Sequence, residues 1–230
     1  MDLQDIPGEF LALAEDLNRE GYTVSVPLLP GHGRNREAFK KTNWKDWLSH
    51  AEREYESLAG SHSSVSIAGL SMGGVMTLIL AARFGPERIA LLAPAIAVND
   101  PIFKLTPLLS LFLDERPKTW TAEEDDSEEV RALGQEYWTR HFIKQIAGLN
   151  KLTRIARSTL KGIRSPALIM VSEKDDSVPL KAAGIIEKGL VNSSTRTIVL
   201  KNSPHVLVSG PEKEYVRSEV VKWMLEGDKT

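Results

Sequence analysis

A short run, Val65-Ser66-Ile67-Ala68-Gly69-Leu70, passes without a break into Ser71-Met72-Gly73-Gly74 and then into an apolar stretch from Val75 to Phe84. The first run is short, mostly apolar and preceded by a Gly/Ser loop, which reads as a strand. The second ends at Gly85-Pro86 and reads as a buried helix. A strand that becomes a helix within about two residues needs a sharp turn, and glycines on either side of Ser71 leave room for one. That junction demands a sheet with helices packed on it.

The rest of the chain repeats the pattern. Phe10, Leu13, Ala14 and Leu17 fall on one helical face, and Gly21 follows as a stop. TVSVPLL at 23–29 is a β-branched run closed by Pro30-Gly31-His32-Gly33, a strand entering a loop. Trp44, Trp47, Leu48, Ala51, Tyr55 and Leu58 define a second amphipathic helix, with Asn43 placed as its N-cap. Further strands are read at Arg88–Pro94, 166–172 and 196–201, with a helix around Ala182–Leu190 between the last two. Pro211 opens a closing helix that carries Val216, Val220, Trp223 and Met224. Strands alternating with helices imply a mostly parallel sheet covered on both faces, an α/β fold.

Residues 97–160 interrupt the alternation: no good strand stands out there, and helical patterns recur. The expectation is a single domain over 1–230 with a small helical cap inserted at about 97–160. Glu123, Glu124, Asp125, Asp126, Glu128 and Glu129 read as a solvated acidic loop feeding a helix N-terminus. The apolar residues Ile102, Phe103, Leu105, Leu108, Leu109, Leu111, Phe112 and Leu113 are read either as the lining of an acyl pocket or as ordinary cap core.

Composition narrows the chemistry. A net charge of −2 offers no basic field to nucleic acid. The absence of cysteine excludes disulfides, thiolate metal sites and a cysteine nucleophile. The start, MDLQDIPGEF, has neither the basic nor the apolar region of a signal peptide, and no stretch nears the ~18 apolar residues of a membrane span. A cytoplasmic location is expected.

Gly69-Leu70-Ser71-Met72-Gly73 matches G-x-S-x-G, a pentapeptide that composition alone produces by chance in roughly one such chain in ten. The strand before it and the helix after it supply the context its mechanism needs. Ser71 is then the candidate nucleophile, and the backbone N–H of Met72 a donor to an oxyanion. A serine hydroxyl needs a base. Of five histidines, His50 and His141 read as surface or packing residues and His62 lies in a serine-rich loop. His32 follows a strand end and can approach the site. His205 is the best placed, after Asn202-Ser203-Pro204 at the carboxyl end of the 196–201 strand. The base needs an orienting acid, and Asp175 and Asp176 both follow the 166–172 strand; spacing alone does not choose between them.

GLSMGG at 69–74, PALIMVSEKDDSVP at 166–179 and NSPHV at 202–206 resemble the bacterial monoacylglycerol lipase and thermophilic carboxylesterase family of the α/β-hydrolase superfamily. The similarity extends through LPGHG at 29–33 and the Trp-containing helix at 43–58, and is weakest in the cap. The resemblance implies an α/β-hydrolase fold and hydrolysis, without cofactor or metal, of monoglycerides and short to medium acyl esters. It places the acid three residues before the valine of D-x-x-V-P, which selects Asp175 ahead of Val178-Pro179. It also implies one departure. Relatives carry a strand with a His-Gly-Phe-type segment ahead of the first helix, lying centrally between the strands read here at 23–29 and 65–70, and that segment supplies a second oxyanion donor. Nothing in Met1–Pro7 resembles it. The sequence therefore supports a serine hydrolase acting on a small ester through Ser71, His205 and Asp175, and, as the alternative, a catalytically disabled binding protein or remnant of the same fold. Oligomeric state is not legible.

Overall fold

The computed structural model describes residues 8–33, 35–117 and 140–226. Elements are numbered along these residues. Helix α1 spans Gly8–Arg19, α2 Arg36–Lys40 and α3 Trp44–Ala59, followed by strand β1, Ile67–Leu70, and helix α4, Met72–Phe84. Strand β2 (Ile89–Leu92) leads to a 3₁₀ turn at Phe103–Leu105 and a single helical turn α5, Thr106–Leu109. Strands β3 (Glu115–Pro117) and β4 (Arg140–Phe142) precede the long α6, Ile143–Thr159. Strand β5 (Ala167–Ser172), helix α7 (Lys181–Gly189), strand β6 (Thr195–Leu200) and helix α8 (Lys213–Leu225) complete the chain.

Four strands form one sheet in the order β1-β2-β5-β6, parallel throughout. Every residue of β2 and β5 is buried, as expected of strands covered on both faces. The pleat sends alternate residues to opposite layers. Ile89, Leu91, Ala167, Ile169 and Val171 join the core beneath α3, α4, α6 and α7, with Trp47, Leu78, Ile79, Leu149 and Ile186. Ala90, Leu92, Leu168 and Met170 join the core beneath α1 and α8, with Leu13, Leu17, Val216, Val220 and Trp223. The Trp223 indole N–H donates to Ile89 O at 3.0 Å, and the Arg88 guanidinium lies over its ring at 4.7 Å. That ties the closing helix to the middle of the sheet through an edge no aliphatic residue could supply.

Two sequence expectations differ from the structure. The segment read as a strand at 23–29 forms no regular element and belongs to no ladder among the described residues. Its β-branched alternation is real, with Val24 and Val26 half-buried, but a strand needs a neighbour at about 4.8 Å and none of the described residues provides one. Within 97–160, where no strand was expected, β3 and β4 pair as a short antiparallel ladder, Glu115 opposite Phe142 and Pro117 opposite Arg140. Three-residue strands with an arginine and a proline among them carry too few alternations to be read from sequence. Helix α6, at the end of the same segment, packs on α4, and its Leu149, Leu152 and Ala156 lie in the main core. The acidic run at 123–129 lies outside the described residues, as does Met1–Pro7.

The β3–β4 hairpin is tied to α2 by charge. Glu115 pairs with Arg36, with Lys40 at 2.9 Å and with Arg140 at 3.5 Å. The hydrogen bond from Arg36 is the main reason its carboxyl is held below the usual range; partial burial opposes it, and Lys40 adds a further hydrogen bond.

The N-cap read at Asn43 is present as a full capping box. Asn43 Oδ1 accepts from Lys45 N at 2.9 Å, and Asp46 Oδ2 accepts from Asn43 N at 2.9 Å. Asn43→Ala is expected to lower stability by about 1 kcal/mol, a fall in Tm of roughly 2–4 °C for a domain of this size. An unchanged melting curve would show that α3 is held by its buried face alone.

Candidate active site

The site begins with strain. Ser71 takes φ 52° and ψ −113°, a positive φ that non-glycine residues rarely adopt. Strand β2 holds it there. Ser71 N–H donates to Leu92 O at 2.9 Å, and Ser71 O accepts from Ala95 N at 3.0 Å and Val75 N at 3.2 Å. Ala93, between those anchors, also has positive φ, 41°. Strained backbone persists only where neighbours over-determine it, and here both sides of the turn are bonded.

The glycines divide the work differently from the sequence reading, which gave the clearance to Gly69 and Gly73. A Cβ on Gly69 would lie 2.4 Å from the Gly73 carbonyl carbon and oxygen. On Gly73 it would meet nothing within 4 Å. The second tight position is Gly74, where a Cβ would stand 3.0 Å from Pro94 Cβ and 3.1 Å from Gly69 O. Gly69 and Gly74 together let helix α4 start directly over β1. Met72 is the first residue of α4, so its N–H has no acceptor within the helix and lies at the positive end of the helix dipole.

Three loops at the carboxyl ends of the strands bring the candidate residues together. Ser71 Oγ lies 2.9 Å from His205 Nε2. His205 Nδ1 lies 2.8 Å from Asp175 Oδ2. The other Asp175 oxygen accepts from the backbone N–H groups of Ser177 and Val178, both at 2.8 Å. The Asp175 side chain is fully buried, and that of His205 nearly so. Asp176 is exposed, and its carboxylate accepts from its neighbour Ser177 Oγ at 2.9 Å. The geometry thus separates the two aspartates that spacing left equivalent.

A residue absent from the sequence reading fixes the histidine loop. Glu212, just before α8, accepts from the backbone N–H of Lys201 (3.2 Å), Asn202 (2.9 Å) and Ser203 (2.8 Å), and from Ser203 Oγ (2.8 Å). Ser172 Oγ donates to Ser203 O from the β5 side. His205 therefore hangs from a loop pinned at both flanks. Desolvation, the largest single influence on Glu212, raises its pKa; the accepted hydrogen bonds together outweigh it and hold the carboxyl below 4.5. The one sequence signal for this clamp was an acid beside Pro211 at a helix start, which many helices carry.

The other histidines lie elsewhere. His32 is buried, edge-on to Phe39 and Trp47 at 5.1 and 5.4 Å, with Nδ1 3.3 Å from Pro30 O. His62 is exposed beside Leu58 O, and His141 stands in β4 opposite Arg116. Of the apolar cap residues, Phe103 is buried in the core, whereas Leu105, Leu108, Leu111, Phe112 and Leu113 are exposed. Among the described residues these five lie in or just after a 3₁₀ turn and a single helical turn, whose short length leaves them facing outward.

A strand-elbow serine bonded to a loop histidine and a buried aspartate prompts comparison with known proteins. Residues 6–218 match the model of the alpha/beta hydrolase family. The chain belongs to the α/β-hydrolase family. It is 31% identical over 204 residues to the thermostable monoacylglycerol lipase of Bacillus sp. strain H-257, covering 87% of this chain and 78% of that one. Among solved structures it is similar to one from a study of two metagenome-derived lipolytic enzymes, LipS and LipT. That match has a TM-score of 0.85 and 24% identity, and covers 97% of this chain and 90% of that one. The Paleococcus ferrophilus monoacylglycerol lipase matches with a TM-score of 0.78 and 17% identity, over 98% of this chain and 91% of that one. No helix among the described residues is long and apolar enough to cross a membrane.

Two outcomes follow from this geometry. Gly69→Ala should destabilise the protein by about 3 kcal/mol or more, since rigid backbone blocks the methyl, while Gly73→Ala should stay within about 1 kcal/mol of wild type. Equal losses in denaturant melts would place the clearance elsewhere. For Glu212, a depressed pKa means its stabilisation is present above the ordinary carboxylate range and lost as pH falls through the folded-state value. Glu212→Gln should therefore be less stable than wild type at pH 7, with faster amide exchange at 201–203, and the difference should shrink below pH 4.5. A gap that persists in acid would mean the carboxylate's charge does not matter to the clamp.

Proposed function

We propose that this chain hydrolyses carboxylic esters, monoacylglycerols or esters of short to medium acyl chains, through an acyl-enzyme intermediate on Ser71. The observation that carries the reading is the unbroken line from Ser71 Oγ through His205 to the buried Asp175, at 2.9 and 2.8 Å. The relatives' activities, monoacylglycerol lipase and lipolytic enzyme, agree with it.

The chemistry follows the geometry. A neutral His205, its Nδ1–H donating to Asp175, presents Nε2 as acceptor to the Ser71 hydroxyl. As Ser71 Oγ attacks the ester carbonyl, His205 takes its proton, and Asp175 stabilises the imidazolium. The Ser177 and Val178 N–H groups on the far carboxylate oxygen hold Asp175 aimed at the imidazole. Negative charge on the former carbonyl oxygen is met by Met72 N–H at the start of α4. His205 then returns its proton to the leaving alcohol, and water repeats the sequence to release the acid.

A second reading has its own support. A cavity of about 540 Å³ reaches the backbone at Met72 and Gly73, and the sequence reading found no second oxyanion donor beside the Met72 N–H, so the three side chains stand without a complete oxyanion site on this reading. A fluorophosphonate separates the two: labelling of Ser71 together with ester turnover supports the hydrolase, and labelling without turnover supports the disabled protein.

Ser71→Ala should leave the fold intact and abolish hydrolysis of a p-nitrophenyl ester, since loss of a triad nucleophile typically costs factors of ~10⁶. Residual activity above about a percent of wild type would end the assignment. Asp175→Asn should reduce kcat by about 10⁴ through the wrong histidine tautomer, whereas Asp176→Asn should change it little. The reverse ranking would exclude Asp175 as the orienting acid.

A further inference from the structure

The loop that leaves β2, residues 93–100, touches the candidate site at two places. Ala95 N–H donates to Ser71 O at 3.0 Å, beside the nucleophile. Further along, Asn99 reaches the turn that carries the acid. Its backbone N–H donates to Ser177 O and its side-chain Nδ2 to Asp176 O, each at 2.9 Å.

Those two carbonyls belong to particular peptide groups. Asp176 O shares a peptide plane with the N–H of Ser177, and Ser177 O shares one with the N–H of Val178. These are the two N–H groups that hold Asp175 Oδ1 at 2.8 Å. Across these trans peptides the carbonyl and the N–H point in opposite directions. Asn99 therefore grips the far ends of both peptide groups that aim the acid. The line runs from Asn99 through two rigid planes to Asp175, then at 2.8 Å to His205 and at 2.9 Å to Ser71. Hydrogen bonds in series polarise one another, so a carbonyl that accepts from Asn99 strengthens the N–H on its other side.

Asn99 is itself held on both sides. Asp100, next in the chain, accepts from Ile102 N and from Arg116 of β3, both at 2.8 Å. Before it, Ala95 O accepts from Thr153 Oγ1 at 3.1 Å, and Ile96 O from the Arg157 guanidinium at 2.7 and 3.0 Å, both donors on α6. The Asn99 side chain is exposed, so water competes for its bond and the bond adds little to folding stability. Its consequence is where a carboxylate points, not whether the chain folds.

We propose that Asn99 is a positioning residue for hydrolysis, fixing the orientation of Asp175 by holding the 176–177 and 177–178 peptide groups. The effect on hydrolysis rests on the ester-hydrolase reading above; the clamp on the turn does not. Without the Nδ2 bond the 176–177 plane is free to rotate. The Ser177 N–H then leaves Asp175 Oδ1, and the carboxylate swings off the His205 Nδ1–H. Ser71 and the Met72 N–H are untouched, so the loss falls on proton transfer rather than on substrate binding.

The test compares Asn99→Ala with Asn192→Ala in the full chain. Asn192 makes a bond of the same kind, Nδ2 to Lys161 O at 2.8 Å, in the loop ahead of β6 at the other end of the strands, and serves as the control. Amide exchange at Ser177 and Val178 should quicken in Asn99→Ala and stay unchanged in Asn192→Ala. Wild-type exchange in Asn99→Ala would show that the turn holds itself and overturn the proposal. With a p-nitrophenyl ester, Asn99→Ala should lower kcat by ~10- to 100-fold, the scale of a small misplacement in an active site, with KM and melting temperature near wild type. Repeated in an Asp175→Asn background, the same substitution should cost nothing further, since the group it aims is already gone. An equal loss in both backgrounds, or a loss confined to KM, would mean that Asn99 acts elsewhere and overturn its role. A wild-type chain that turns over no ester would defeat the hydrolase reading alone, and quickened exchange at 177 and 178 would still place Asn99 as the clamp on Asp175.

Discussion

One backbone conformation governs this molecule: Ser71 at φ 52°, locked between Leu92 O and Ala95 N. Leu92 at the end of β2 and Ala95 three residues beyond it supply the anchors, so the elbow moves only when these two bonds open. The near contacts at Gly69 and Gly74 are the steric side of the same constraint, since α4 can begin over β1 only if two side chains are missing. The bonds that strain Ser71 also lift its hydroxyl to the sheet's rim, where His205 meets it.

The remaining pieces are arranged so that little is left to rotate. Asp175 is bonded on both oxygens, His205 on both nitrogens, and the loop behind His205 on three successive backbone N–H groups. Preorganisation of this kind lowers the reorganisation needed when charge develops. It depends on two carboxylates with different duties: Asp175 faces the imidazole, and Glu212 faces only backbone and a serine hydroxyl.

Much of this was legible in the sequence, and the exceptions share a cause. Strand β1, its elbow, helix α4 and the fully buried β2 and β5 could be read because each carries its own pattern within about ten residues. The N-cap at Asn43 is equally local. What failed depended on distant partners. Residues 23–29 have a strand's composition, but a ladder requires a neighbour that periodicity cannot report. The apolar residues of 105–113, read as acyl-pocket lining or cap core, include five that are exposed among the described residues, because hydrophobicity alone does not report what covers a side chain. Gly74, not Gly73, is the crowded glycine because Pro94 comes from another strand's end. Glu212 was invisible for the same reason, since its partners are backbone groups about ten residues away. The choice of Asp175 over Asp176 came from resemblance, and its burial supplies the physical ground that spacing lacked.

The placement of β1 at the end of the four-strand order separates two kinds of durability. β2 and β5 are flanked on both edges, and their unfolding is that of the whole domain. Among the described strands β1 is paired along one edge, with β2, and the serine's geometry is inherited from it. Local opening free energies track how many sides of an element are bonded. The hydroxyl can therefore drift out of register while the sheet, its two cores and the closing helix remain folded, so the lifetime of the elbow, rather than that of the native state, sets how long such a protein stays competent.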